Sequence, residues 1–129
     1  MGNNHTNETK NILEKIIDNS CLTELEFLAL INKKTINPSY ELFNKYKKLN
    51  KFYKKSSGEK STIKRRAGRN IKACLLTLIL FLTLGIINEK NLLQLKEISD
   101  MLKDVLDIEN EEIYLKLDAL LDTIVKELF

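Results

Sequence analysis

The stretch "STIKRRAGRNIKACLLTLILFLTLGIINEK", residues 61–90, decides the fold. Lys64, Arg65, Arg66, Arg69 and Lys72 crowd its first part without an acid among them, and Ala73 to Ile87 carry no charge at all. Ile63, Ala67, Ile71, Cys74, Leu78 and Leu82 fall on one stripe at helical spacing, while Arg65, Arg69 and Lys72 fall on another, with Lys64 and Arg66 beside them. The stretch is therefore one helix, expected from about 62 to 87 and starting near Ser61 or Thr62. Gly85 is expected to end it.

An apolar run of this kind belongs to a core or to a membrane. Ala73 to Ile87 is 15 residues long, which at ~1.5 Å per residue gives roughly 22 Å, short of a hydrocarbon core of ~30 Å. A helix that is apolar all round must be enclosed by something. The other segments of the chain are amphipathic and need an apolar partner, so a buried central helix is the preferred reading over a membrane segment.

Outward from this helix, apolar residues recur at spacings of three and four. The chain has one proline and four glycines, and strand-like alternation is scarce. Ile12, Leu13, Ile16 and Ile17 define a first helix ending near Asn19. In "LTELEF", Thr23 and Glu26 form a capping-box pattern, flanked by Leu22 and Phe27 as a hydrophobic staple. Leu25, Leu28 and Ala29 point inward on that second helix. Asn37-Pro38 suits the start of a third helix, expected to reach about Lys55 and to bury Phe52 or Tyr53. "SSGEKS", residues 56–61, has the composition of a turn. Beyond Gly85, Leu92, Leu95, Ile98, Leu102 and Val105 make one stripe, and Ile113, Leu117, Leu120, Leu121, Ile124 and Leu128 make another. These two segments are expected to pair as an antiparallel helical hairpin. The expected fold is all-α: a compact bundle of five to six helices around the central apolar helix, forming a single domain over 9–129 behind a disordered polar tail over 1–8.

Charge is distributed unevenly. The chain of 129 residues has a net charge of +3, yet Lys45 to Lys72 holds twelve cations against the single acid Glu59. Glu89 to Phe129 holds eleven acids against five lysines. Such a split points to an anionic partner, or to the acidic part docking on the basic part. In the basic segment, lysines interleave with Tyr46, Phe52 and Tyr53 before the arginines begin. Lysines attract phosphate in a salt-sensitive, sequence-tolerant way, and arginines can grip it with two parallel hydrogen bonds. Lys47, Lys48, Lys51, Lys54, Lys55, Lys64, Arg65, Arg66, Arg69 and Lys72 are the candidate nucleic-acid contacts, to DNA or RNA. Were the helix to begin near Ser61, its cations would oppose the positive end of the helix dipole, and a bound phosphate would relieve the conflict. The alternative expectation is a protein partner or a homo-oligomer, or a membrane-associated assembly, using the acidic hairpin over 89–129. A helix-turn-helix is not met in full, because "NKKTINPS" is longer than a tight turn and no wing strands are expected after Gly85.

The chemistry-bearing residues argue against an enzyme. The lone histidine, His5, lies in the polar tail, which speaks against a zinc site or a histidine-based triad. Asp100 with Asp104, and Asp118 with Asp122, sit four apart on solvent-facing positions. There is no glycine-rich phosphate loop and no nucleophile elbow. No cofactor or metal is expected. Cys21 and Cys74 are expected as buried free thiols, which suits a cytoplasmic protein, with a single disulfide between them as the alternative. The N-terminus has no apolar signal-peptide core, although Gly2 and Thr6 fit the short myristoylation pattern.

Overall fold

A computed structural model describes residues 10–31 and 49–129. Among these residues the fold is all-α, with six helices and no strand. They are α1 (Ile12–Asn19), α2 (Glu24–Ile31), α3 (Leu49–Tyr53), α4 (Ser57–Thr83), α5 (Glu89–Leu102) and α6 (Glu111–Leu128). The tail over 1–8, with Gly2 and His5, lies outside the described residues, as do Lys47, Lys48 and the expected start of the third helix. The chain groups into two compact units, one from 17 to 88 and one combining the N-terminal residues to 16 with 89 to 129.

In the unit over 17–88, α2 packs on α4 and on α3. The capping box that opens α2 is present: Glu26 N–H donates to Thr23 Oγ1 at 3.2 Å, and Thr23 N–H donates to Glu26 Oε1 at 3.1 Å. Leu28, Ala29 and Ile31 are buried on α2, and Ile63 and Ala67 are buried on α4. On α3 the choice between the two aromatics is settled. Phe52 is fully buried, with the Lys60 ammonium 5.7 Å from its ring centroid, whereas Tyr53 is exposed. Glu26 does more than cap. The residue is 2 % exposed, and Oε1 also accepts a 2.8 Å hydrogen bond from Asn70 Nδ2 on α4. A buried carboxylate costs free energy unless hydrogen bonds compensate it. Here one oxygen serves both the cap of α2 and its docking on α4.

Two features of α4 depart from expectation. The first is its start. Residues 56–61 do not form a turn: Ser56 is the N-cap, and α4 begins at Ser57. Glu59 N–H donates to Ser56 Oγ at 3.2 Å, and Ser56 N–H donates to Glu59 Oε1 at 3.4 Å, closing a second capping box. The Ser56 hydroxyl, which donates to Glu59 Oε1 at 3.0 Å, and then the Ser56 N–H hold the Glu59 carboxyl below its ordinary pKa, with desolvation opposing and the Lys55 charge assisting. The second departure concerns the apolar run. Among the described residues nothing encloses Ala73 to Ile87: Leu75, Leu76, Ile79, Leu80, Leu82, Leu84 and Ile86 are exposed. The stripe of Ile63 and Ala67 fades to half-buried Ile71 and Leu78 and to exposed Cys74 and Leu82. Among the described residues, α2 and α3 are too short to follow α4 to its end, having 8 and 5 residues against 27. Among the described residues, no helix is long and apolar enough to cross a membrane.

The C-terminus of α4 falls where Gly85 predicts. Gly85 takes φ +73°, Ile86 N–H donates to Phe81 O at 2.9 Å, and Gly85 N–H donates to Leu82 O at 3.2 Å. This is the Schellman arrangement, which requires a left-handed residue just past the helix.

In the other unit, α5 and α6 face each other across an apolar hollow of about 210 Å³, lined by Ile98, Leu102 and Val105 from one side and Ile113, Leu117 and Leu120 from the other. Residues of both sequence stripes line it. Asn110 caps α6 through a 2.9 Å hydrogen bond from Glu112 N–H. The first two free N–H groups of α1 are also satisfied here: Ile12 N–H donates to Ile108 O at 3.1 Å and Leu13 N–H to Leu106 O at 3.0 Å.

Candidate nucleic-acid interface

A helix turns about 100° per residue, which fixes where each cation of α4 points. The buried seam runs through Ile63 and Ala67. Arg65, Arg69 and Lys72 lie within an arc of roughly 60° on the opposite face, and all three are exposed. They recur at i, i+4 and i+7, so they form a row about 10 Å long. Lys64 and Arg66 lie on opposite flanks of this row, both exposed.

The helix N-terminus plays no part in holding these cations. Because α4 starts at Ser57, Lys64, Arg65 and Arg66 begin a full two turns in, and the acid Glu59 occupies the first turn. The expected conflict with the helix dipole, and the phosphate that would relieve it, are both removed by the Ser56–Glu59 box.

The eight candidate contacts that lie among the described residues fall into two groups. Lys51 Nζ is 3.1 Å from Glu24 Oε1, and Lys55 Nζ is 4.0 Å from Glu59 Oε2. Lys51, Lys54 and Lys55 border a shallow hollow of about 470 Å³ with Glu24, Leu25 and Glu59. Arg66 borders the adjoining hollow, which shares Leu25, Lys55 and Glu59. This cluster is a mixed-charge groove on one flank of α4. The Arg65–Arg69–Lys72 row is different. Among the described residues it has no ion pair, and the Arg65 guanidinium donates only to Thr62 Oγ1, at 3.3 Å. Lys47 and Lys48 are outside the described residues.

One further residue belongs to the row. Gly68 lies on the exposed face between Arg65 and Lys72, and a Cβ built there would meet nothing within 4 Å. No packing partner among the described residues requires a glycine at this place, although glycine weakens a helix interior by about 0.5–1 kcal/mol relative to alanine. Its missing side chain exposes α4 backbone among the cations. The signal for it in the sequence is an isolated glycine inside a helical pattern.

The same face continues past the cations. Leu76, Ile79 and Leu80 follow Arg65, Arg69 and Lys72 in helical phase and are about half exposed or more. The outward side of α4 is thus cationic, then apolar.

Elsewhere among the described residues the paired carboxylates stay on the surface. Asp100, Asp104, Asp118 and Asp122 are all exposed. Asp100 lies 3.0 Å from both Lys96 Nζ and Lys103 Nζ, and hydrogen bonds from these two lysines hold its carboxyl below the ordinary range. Among the described residues no three His, Cys, Asp or Glu side chains gather as a metal site. Cys21 and Cys74 are not buried, contrary to the sequence expectation. Both are exposed, and their Sγ atoms lie 2.7 Å apart.

No family model matches the chain, and neither the curated proteins nor the solved structures contain a match.

Proposed function

We propose that this protein is a non-enzymatic binder of nucleic acid, DNA or RNA, that grips the phosphate backbone through the outward face of α4. The observation that carries the proposal is the row Arg65, Arg69 and Lys72: three exposed cations on one face, without a carboxylate partner among the described residues. A row of exposed cations on one helix face attracts an anionic polymer. Lys64 and Arg66 flank it. Lys54 supplies a further cation from the groove, where Lys51 and Lys55 are engaged by carboxylates. A cytoplasmic location accords with this reading.

The test is fluorescence anisotropy with a labelled duplex and a labelled single strand over a salt series. Binding is expected to weaken steeply with salt. Arg65→Glu, Arg69→Glu and Lys72→Glu together should lower affinity at every sequence and reduce the steepness of the log–log salt plot by about 3, close to one unit for each phosphate no longer neutralised. Unchanged affinity in the triple variant would eliminate this reading.

A second reading draws on a different observation. Exposed Leu76, Ile79 and Leu80 on α4 favour a helical interaction protein or accessory subunit, homodimeric or membrane-associated, with the acidic hairpin over 89–129 as a further contact surface. Sedimentation at several concentrations separates the two. A concentration-independent monomer that binds nucleic acid supports the first, and a stable oligomer indifferent to nucleic acid supports the second.

A further inference from the structure

From the approach of Cys21 to Cys74, we infer that the two form a modification site: a dithiol that closes to an intramolecular disulfide on exchange with a low-molecular-weight disulfide of the glutathione type. Cys21 stands in the turn between α1 and α2, and Cys74 stands midway along α4, two residues past the last cation of the row. They are 53 positions apart in the chain, yet their Sγ atoms are 2.7 Å apart, roughly 0.7 Å beyond a formed bond of ~2.05 Å. Both side chains are exposed, so a small oxidant reaches them. The two anchoring elements are fixed independently of the cysteines. Ser20 Oγ donates to Ile17 O at 2.9 Å and so holds the turn, while the Glu26–Asn70 hydrogen bond holds α2 on α4 one turn before Cys74.

The chemistry balances as a two-step exchange. The Cys21 thiolate attacks one sulfur of the small disulfide RS–SR. A bond forms between Cys21 Sγ and one RS group, the RS–SR bond breaks, and the departing thiolate takes up a proton as RSH. The Cys74 thiolate then attacks Cys21 Sγ, forms the Cys21–Cys74 bond and expels the second RS group, which leaves as RSH. Two protein thiols are oxidised and one small disulfide is reduced to two thiols. The same exchange runs with the two cysteines in exchanged roles, because the adjacent thiols titrate together. The hydrogen bond with Cys21 holds the Cys74 thiol above its ordinary pKa, with desolvation and the Cys21 charge adding to this. Once Cys21 carries the RS group its charge is gone and its hydrogen bond weakened, so Cys74 ionises more readily for the second step.

The experiment uses the full chain and glutathione. Reduced protein is equilibrated with a series of oxidised-to-reduced glutathione ratios, quenched with acid, and read by intact mass and by peptide mapping. The expected product is a monomer lighter by two hydrogen atoms, with a Cys21–Cys74 linked peptide. Closure should be half complete at an oxidant ratio at least tenfold lower in native buffer than in concentrated urea, because the fold holds the sulfurs together. Cys21→Ser and Cys74→Ser should each stop at the mixed disulfide, heavier by one glutathione. Three results would overturn the inference: equal half-closure ratios in native buffer and urea, wild-type protein carrying glutathione at both cysteines, or disulfide-linked dimers in place of the closed monomer. The wild-type comparison stands even if a serine variant fails to fold.

Discussion

Glu26→Ala tests the internal logic of the unit over 17–88 most directly. The wild-type residue is 2 % exposed, and its Oε1 accepts from Thr23 N–H at 3.1 Å and from Asn70 Nδ2 at 2.8 Å. Truncation removes both hydrogen bonds at once. The missing half of the capping box is worth about 1 kcal/mol. A hydrogen bond to a charged acceptor is worth about 1.5–3 kcal/mol, and the orphaned Asn70 amide adds a penalty if it stays buried. Against this, the variant no longer desolvates a carboxylate, which returns part of the loss. The net expectation is a destabilisation of about 2 kcal/mol. Glu26→Gln keeps an Oε1 acceptor without the charge and should cost about 1 kcal/mol or less. The sharper assay is a double-mutant cycle with Asn70→Ala, by urea denaturation followed by far-UV circular dichroism. Because Glu26 and Asn70 share one hydrogen bond, the two single losses should exceed the double loss by about 1–2 kcal/mol. Additivity within about 0.3 kcal/mol would refute the account, since it would mean that α2 and α4 are not coupled through this oxygen.

Two further outcomes follow from the ends of α4. Gly85→Ala should destabilise the protein by about 1–2 kcal/mol in thermal melts, because φ +73° strains any L side chain although the space around it is open. The Ser56–Glu59 box should be acid-labile. The folded Glu59 carboxyl lies below its ordinary pKa, so its stabilising effect is complete above the ordinary value and is lost as pH falls through the lowered one. Protection of the Lys60 and Ser61 amides by NMR, each exchange rate taken relative to the unstructured rate at the same pH, should fall in wild type on the acid side of the ordinary glutamate range and be insensitive to that pH change in Glu59→Gln.

What the sequence discloses of this fold divides by distance along the chain. The Thr23–Glu26 box is legible because its signal spans four residues and its partners are its own neighbours. The Ser56–Glu59 box carries the same spacing, but the surrounding Ser-Ser-Gly composition suggests a turn. That composition puts the expected helix start several residues late, and sets the cations at a dipole they do not meet. The Arg65–Arg69–Lys72 face follows from helical phase alone, so it is legible once the helix is recognised. What phase cannot supply is the neighbour. It requires that Leu76, Ile79 and Leu80 have apolar company and leaves open whose. The Glu26–Asn70 contact spans 44 positions and the Cys21–Cys74 approach spans 53, and no local pattern encodes either.

The unbroken course of α4 gives its two exposed halves a fixed relation. From Arg65 to Leu76 is three turns, about 16 Å of rise, and the two side chains point within roughly 20° of one another. A ligand that touches both must therefore offer negative charge and apolar surface at that separation on a single line. The alignment is a matter of register. One residue inserted between Lys72 and Ala73 would swing the leucines about 100° away from the arginines while leaving every side chain of both halves intact. Composition would be conserved and the shared face destroyed, so the helix acts as a ruler as much as a surface.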